Sequence, residues 1–179
     1  ARDDGRTQIV ALTVQADLEL LAAIAGRVQP DIIQLHGDES AADMARVRAN
    51  VPGVTVWRAC PVATATDVQA AEAYWQPGRL ADRLLFDARA DTTSTLPGGN
   101  GLTFDWTILS GVNPRGNFAL AGGLTPDNVA LAVSKTGADI VDVSSGVETA
   151  PGMKSAKLMA DFVNAAKSVQ PLQSSEVGA

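Results

Sequence analysis

Two short glycine-containing turns are the clearest candidates for chemistry in this sequence. Residues 121–124 read Ala-Gly-Gly-Leu and residues 144–147 read Ser-Ser-Gly-Val, and each turn follows an apolar run. Small residues let backbone N–H groups approach a phosphate closely. The candidate phosphate-binding residues are Gly122, Gly123, Ser145 and Gly146. The alternative is that the glycines only make tight left-handed turns, but two such turns after consecutive runs favour phosphate binding.

Two carboxyl groups occupy similar positions at the ends of apolar runs. Asp87 follows Leu84, Leu85 and Phe86, so its side chain is expected beside an apolar wall. Burial favours the neutral form of a carboxyl group, which allows it to donate a proton near neutral pH. The alternative is that Asp87 caps the following loop. Asp142 is a candidate for substrate contact or for a structural hydrogen bond.

Three further side chains follow or end apolar runs. His36 and Arg58 are candidates for substrate contact, although a histidine in such a place is more often a hydrogen-bonded structural residue. Cys60 is expected to be a small buried hydrophobic residue, as free cysteines usually are.

Short apolar runs alternate with longer stretches of helical spacing, which is typical of βα units. The expected strands are 8–14, 31–36, 54–60, 83–88, 117–121 and 139–143, with no further strand after residue 143. The expected helices are 17–28, 39–50, 65–76, 105–112, 126–136 and 154–168. Ser40, Asp105 and Thr125 are the expected helix starts, with Pro126 in the first turn after Thr125. In either arrangement of such units, ligands bind at the carboxyl ends of the strands.

The unit count leaves two α/β folds open. Six units can form an open doubly wound sheet, or six of the eight units of a TIM (β/α)₈ barrel that typically has about 250 residues. We expect a single domain over residues 1–169 and a flexible tail over 170–179. The Gly-rich connection 96–106 is long enough to be a lid or an ordinary flexible loop.

Composition excludes several classes of protein. The formal charge of -6 argues against nucleic-acid or anionic-membrane partners, and one histidine with one cysteine leaves little for a metal site or a disulfide. No apolar run approaches the roughly 20 residues of a membrane span, so a cytoplasmic location is expected. Phosphate-loop, dinucleotide and serine-hydrolase motifs are absent, and no lysine is expected at a strand end. Acid–base chemistry on a small phosphorylated molecule remains.

Six stretches of sequence, in order, resemble the phosphoribosylanthranilate isomerase family. They are 34–39 (QLHGDE), 85–88 (LFDA), 98–106 (GGNGLTFDW), 120–129 (LAGGLTPDNV), 142–148 (DVSSGVE) and 151–154 (PGMK). Order and spacing match from about Thr7 to Lys167. The resemblance implies a TIM (β/α)₈ barrel of which strands 3 to 8 are visible here, so that two N-terminal βα units are missing from the sequence as given.

The resemblance also implies an activity and its residues. The family converts N-(5'-phosphoribosyl)anthranilate to 1-(2-carboxyphenylamino)-1-deoxyribulose 5-phosphate in tryptophan biosynthesis, by an acid–base Amadori rearrangement without cofactor or metal. Asp87 would be the general acid, and the glycine turns would bind the substrate phosphate. We expect a monomer or a homodimer with a small-molecule substrate.

The sequence departs from the family pattern in two places. Asn100 and Leu102 stand where many relatives have Ser or Thr and Lys. The strand Lys-Ile-Cys-Gly, whose cysteine is the family's general base, is not in these 179 residues, nor is the arginine that holds the anthranilate carboxylate. Two alternatives therefore stay open: a noncatalytic barrel remnant that binds a phosphorylated ligand, and another phosphate-binding barrel enzyme.

Overall fold

The computed structural model describes residues 7–75, 80–88, 105–112 and 117–169. Six strands form one sheet in chain order: β1 (Val10–Thr13), β2 (Ile32–Leu35), β3 (Thr55–Val62), β4 (Arg83–Ala88), β5 (Phe118–Leu120) and β6 (Ile140–Val141). The pairs β1–β2, β2–β3 and β5–β6 are parallel. The α/β class predicted from the sequence is therefore confirmed, since each predicted strand overlaps an observed one.

The helices lie between and after these strands. They are α1 (Leu18–Ala23), α2 (Ala41–Asn50), α3 (Ala65–Glu72), α4 (Val129–Thr136) and α5 (Ala156–Ser168). Ala23 is followed by a π-helical turn over Ile24–Val28, and short 3₁₀ helices cover Trp106–Leu109 and Ser145–Val147. No helix within the described residues is long and apolar enough to cross a membrane.

The chain divides into two compact units. The first comprises Ala1–Cys60 and Thr66–Leu85, and the second comprises Pro61–Ala65 and Phe86–Ala179. Apolar side chains that are almost completely buried form a core in each unit. In the first unit they include Leu21, Ile33, Leu35, Met44 and Val56. In the second they include Phe86, Phe118, Leu109, Leu120 and Leu124, with the rings of Phe86 and Phe118 edge to face at 5.3 Å.

Three local predictions are wrong. The N-cap of α4 is Asn128 rather than Thr125, because Thr125 and Pro126 belong to the preceding turn. The predicted helix 105–112 is only a 3₁₀ helix capped by Asp105. A small antiparallel sheet of β7 (Glu148–Ala150) and β8 (Met153–Lys154) follows residue 143, where no strand was expected.

Two predictions fall outside the described residues. They are the flexible tail at 170–179 and most of the possible lid at 96–106. Helix α5 ends at Ser168, one residue before the end of the described chain.

Candidate active site

Asp87 lies near the carboxyl end of β4, and the residue is largely buried at 9 % exposure. The residue before it, Phe86, is fixed by its ring contact with Phe118. The N–H of Ala121 donates a 2.8 Å hydrogen bond to the carbonyl oxygen of Phe86, which aligns the end of β5 with the end of β4. The carboxyl group therefore lies beside the turn that follows β5.

Gly122 must be glycine for two reasons. Its φ of 87° lies in the left-handed region that side chains disfavour. A Cβ atom at this position would collide with the backbone nitrogen of Ala88 and would lie 2.8 Å from Oδ1 of Asp87. The turn backbone therefore packs directly against the acid, an approach that only glycine permits.

The turn after β5 is held in shape by Asn128. Its Oδ1 accepts a 2.8 Å hydrogen bond from the N–H of Thr125, and its Nδ2 donates at 3.0 Å to the carbonyl oxygen of Gly123. Gly123 also has a positive φ, of 62°. One side chain thus closes the turn in a conformation that leaves Gly122 against Asp87.

The second glycine turn contacts the first. The N–H of Asp142 donates to the carbonyl oxygen of Leu120 at 2.9 Å, so the ends of β5 and β6 are aligned. A Cβ atom at Gly146 would collide with the carbonyl oxygen of Leu124. We call residues 121–124 and 144–147 together the two-turn site, because the structure brings both predicted phosphate turns into contact.

Lys154 reaches the two-turn site, although the sequence predicts no lysine at a strand end. It lies on β8, and its Nζ donates to the Ser144 carbonyl oxygen at 2.9 Å and contacts Ser144 Oγ at 3.2 Å. It also pairs with Oε1 of Glu148 at 2.6 Å. This hydrogen bond from Lys154, together with one from the Gly152 N–H, holds the pKa of Glu148 below its usual value. The missed signal is the hairpin, which is too short to show a strand pattern.

The remaining predicted contacts are placed differently. Asp142 is exposed directly after β6, in the second unit. His36 is half-buried after β2 in the first unit, and its Nδ1 lies 3.3 Å from Nε2 of the buried Gln34. The backbone N–H of His36 donates to the carbonyl oxygen of Thr13 at 2.8 Å, which extends the β1–β2 pairing.

Arg58 lies on β3, and its side chain is only 6 % exposed. Its Nη1 donates to the carbonyl oxygen of Gly37 at 2.5 Å and pairs with Glu39 Oε2 at 3.1 Å. The guanidinium carbon lies 5.3 Å from the centroid of the Tyr74 ring. We call Gly37, Glu39, Arg58 and Tyr74 the Arg58 cluster. The sequence assigns no role to Glu39, although it lies in the stretch 34–39, and Tyr74 lies in none of the matched stretches.

Cys60 is buried in the first unit, as expected for a small hydrophobic residue. Burial raises the pKa of its thiol to about 12, and the nearby Arg58 charge offsets this only in part. The thiol is therefore protonated at neutral pH and is not a base. No three His, Cys, Asp or Glu side chains within the described ranges are grouped closely enough to hold a metal ion.

Comparison with known proteins gives one consistent family. Residues 1–165 match the family model described as N-(5'phosphoribosyl)anthranilate (PRA) isomerase. The N-(5'-phosphoribosyl)anthranilate isomerase of Rhodopseudomonas palustris strain BisA53 is 47 % identical over 168 residues, which cover 94 % of this chain and 75 % of that protein.

Solved structures agree with the family match. Monomers of the dimeric phosphoribosylanthranilate isomerase of Thermotoga maritima superpose with a TM-score of 0.72 at 28 % identity, covering 92 % of this chain and 74 % of that one. A phosphoribosylanthranilate isomerase in complex with reduced 1-(o-carboxyphenylamino)-1-deoxyribulose 5-phosphate gives a TM-score of 0.73 at 26 % identity, covering 94 % and 75 %. The fold is therefore of the TIM-barrel type.

Proposed function

Because this chain belongs to the N-(5'-phosphoribosyl)anthranilate isomerase family, we propose that side chains at the ends of its strands carry out the family's reaction. The chain is an isomerase of tryptophan biosynthesis. It converts N-(5'-phosphoribosyl)anthranilate to 1-(2-carboxyphenylamino)-1-deoxyribulose 5-phosphate by an acid–base Amadori rearrangement. The observation that supports the assignment of roles is the contact between Asp87 and Gly122, which joins an acid to the two-turn site.

Asp87 is the general acid. Its proton goes to the ring oxygen of the furanose, the bond from that oxygen to C1 breaks, and the anthranilate nitrogen forms a Schiff base. A base then removes the proton from C2, and the resulting enolamine tautomerises to the ketone. No atom is gained or lost, so the reaction needs no oxidant or reductant.

The two-turn site holds the phosphate of the substrate. Gly122, Gly123, Ser145 and Gly146 present backbone without bulky side chains, and the Lys154 ammonium adds a positive charge beside Ser144. Fixing the phosphate orients the sugar ring relative to Asp87, and positioning of this kind lowers the barrier of the chemical step. His36 and Asp142 remain candidates for contact with the rest of the substrate, whereas the Arg58 side chain is only 6 % exposed and is bound to protein groups.

The base comes from outside the two units. The family resemblance assigns it to the cysteine of a Lys-Ile-Cys-Gly strand, a tetrapeptide that does not occur in this sequence. The high pKa of Cys60, on β3, argues that this cysteine does not replace the missing base. Two further βα units would add this strand and would bring the six strands described here to the eight of a complete barrel.

Exposed apolar side chains support those two units. β1 is an edge strand of the sheet, yet Val10 is 43 % and Leu12 56 % exposed. An unpaired apolar edge promotes aggregation unless it is covered. The intact mass of the purified protein tests this: a mass well above 18.5 kDa, by about 60 residues, is expected. A mass of 18.5 kDa with turnover would contradict it.

The partner is a small phosphorylated molecule, as in the relative solved with a reduced product analogue. A monomer or a homodimer is proposed, since the Thermotoga maritima relative is dimeric. A step of amino-acid biosynthesis on a phosphorylated sugar fits the cytoplasm.

Replacement of Asp87 by Asn tests the proposed acid. The amide keeps the shape of the side chain but has no proton to give, so kcat should fall by roughly 10² to 10⁴. The measurement is steady-state conversion of N-(5'-phosphoribosyl)anthranilate, with Asp139→Asn as a control that removes a carboxylate from the same unit. Near-normal turnover by Asp87→Asn would remove this residue from the role of acid, and binding without conversion by the parent would favour a noncatalytic barrel.

A further inference from the structure

We propose that the buried ion pair of Arg58 and Glu39 is a positioning device that fixes the backbone directly after His36. This inference rests on the proposed function, because it gives the pair a purpose at the carboxyl end of β2. It assigns Arg58 a role other than direct substrate contact.

Both polar backbone groups of Gly37 are bound by the pair. The Arg58 Nη1 donates to the Gly37 carbonyl oxygen at 2.5 Å, and the Gly37 N–H donates to Glu39 Oε2 at 3.1 Å. The same Oε2 atom pairs with Arg58 Nη1 at 3.1 Å. Gly37 follows His36 in the chain, so these two charges fix the backbone next to His36.

The surroundings hold the pair itself. Tyr74 lies against the guanidinium, and its hydroxyl donates to the Glu39 carbonyl oxygen at 3.2 Å. Arg58 Nη1 also donates to the Ala59 carbonyl oxygen at 2.7 Å. A Cβ atom at Gly37 would lie 2.7 Å from Glu39 Oε1, so the turn fits closely onto the carboxylate.

Because the ion pair is buried, a gain in stability does not by itself explain its presence. The two side chains are 6 % and 10 % exposed, which removes both charges from water. Within the described part of the chain, Arg58 Nε and Glu39 Oε1 have no hydrogen-bond partner. A buried pair that is incompletely satisfied is often no more stable than apolar residues of the same volume. Specifying one backbone conformation is a better account of it.

A second ion pair, between Arg48 on α2 and Asp82 just before β4, provides the matched control. Arg48 Nη1 lies 2.6 Å from Asp82 Oδ2, and that carboxylate accepts from the N–H of Val56 near the amino end of β3. The Arg48–Asp82 pair therefore lies near the amino end of β3, whereas Arg58 is level with Leu35, the last residue of β2. In barrels of this type the carboxyl ends carry the chemistry and the amino ends contribute stability.

The experiment compares Arg58→Met with Arg48→Met in the full chain. Arg58→Met should lower kcat by about 10- to 100-fold and change KM by no more than about threefold. The reason is that displacement of His36 disturbs its alignment with the substrate more than it weakens substrate binding. It should also move the imidazole ¹⁵N signals of His36, the chain's one histidine. Arg48→Met should lower the melting temperature while leaving kcat and the His36 signals unchanged. Arg58→Lys keeps the positive charge but lacks the planar guanidinium, so its kcat should lie between those of Arg58→Met and the parent.

Two outcomes would overturn the proposal. The first is an Arg58→Met variant with unchanged His36 signals and unchanged kcat. The second is a large rise in KM with unchanged His36 signals and kcat, which would make Arg58 a substrate contact. If Arg58→Met does not fold, Glu39→Gln decides: displaced His36 signals with a lower kcat support the proposal, and wild-type values for both contradict it. If the parent chain does not isomerise the substrate, the proposed function fails, and the His36 signals alone still test the positioning.

Discussion

The two-turn site and the Arg58 cluster fix backbone at strand ends by opposite means. In the two-turn site, the absence of side chains at Gly122 and Gly146 lets one segment of backbone pack on another. In the Arg58 cluster, two buried charges bind both backbone groups of Gly37. The first arrangement consists of main chain alone, whereas the second depends on two charged side chains. We infer that the first binds ligand and the second shapes the site.

Gly122→Ala should break the two-turn site with the largest effect. The left-handed φ costs about 1–2 kcal/mol for a residue with a Cβ, and the collision with Ala88 adds about 1–3 kcal/mol of overpacking. The shift of the turn from Asp87 should lower kcat/KM by about 100-fold. Urea unfolding and steady-state kinetics measure the two effects.

Gly137→Ala is the matched control. Gly137 also has a positive φ, of 70°, at the C-cap of α4, but a Cβ atom there would meet nothing within 4 Å. The free energy of unfolding of this variant should fall only by the conformational cost of about 1–2 kcal/mol, and its kcat and KM should be unchanged. Equal losses of kcat/KM in both variants would show that the close approach at Gly122 has no catalytic importance.

Lys154→Met should weaken phosphate binding at the two-turn site by a smaller amount. The ammonium is partly exposed, so we expect KM to rise about 10-fold and kcat to change by less than about threefold. Inhibition by inorganic phosphate should weaken by the same factor. Lys157→Met removes an exposed lysine that pairs with Asp161 on α5, and it should leave both constants unchanged. Equal effects of the two variants would leave only the overall charge as the explanation.

The sequence predicts where the two turns of the two-turn site lie, because the determinants of their position are local. The sequences of residues 121–124 and 144–147 contain the glycines themselves, and their positions after apolar runs place them at one edge of a parallel sheet. The structure adds Lys154 and Asn128. Asn128 reaches back only three to five residues, yet the sequence pattern predicts the start of α4 at Thr125 instead.

The sequence does not predict the Arg58 cluster because its contacts are distant along the chain. Arg58 meets Gly37 21 residues away, and Tyr74 meets Glu39 35 residues away. An arginine after an apolar run is equally consistent with an exposed ligand-binding residue, which is why it was predicted as a candidate for substrate contact. Its burial and its partners depend on the packing of β2, β3 and the chain after α3, which no local pattern specifies.

Ser40→Ala should have the smallest effect and tests whether the Arg58 cluster is held by its own ion pair. Ser40 follows Glu39 and caps α2: its Oγ accepts from the Asp43 N–H at 3.2 Å, and Asp43 Oδ2 accepts from Ser40 Oγ and N–H. These hydrogen bonds, together with a smaller contribution from the neighbouring Arg46, lower the pKa of Asp43 from 3.8 to about 2. Because the folded pKa is lowered, their stabilisation is present above pH 4 and is lost as the pH falls towards 2.

Ser40→Ala should therefore lower the melting temperature by a few degrees at pH 7, with a difference from the parent that shrinks as the pH falls from about 4 to about 2. Ser155→Ala is the control, since Ser155 caps α5 with Leu158 rather than an acid at the position of Asp43, and its effect should not depend on pH in this range. The His36 signals and kcat should stay unchanged in Ser40→Ala, because the two charges bind Gly37 without the cap. Displaced His36 signals would instead show that the start of α2 fixes the backbone at Gly37 and that the ion pair only adapts to that backbone.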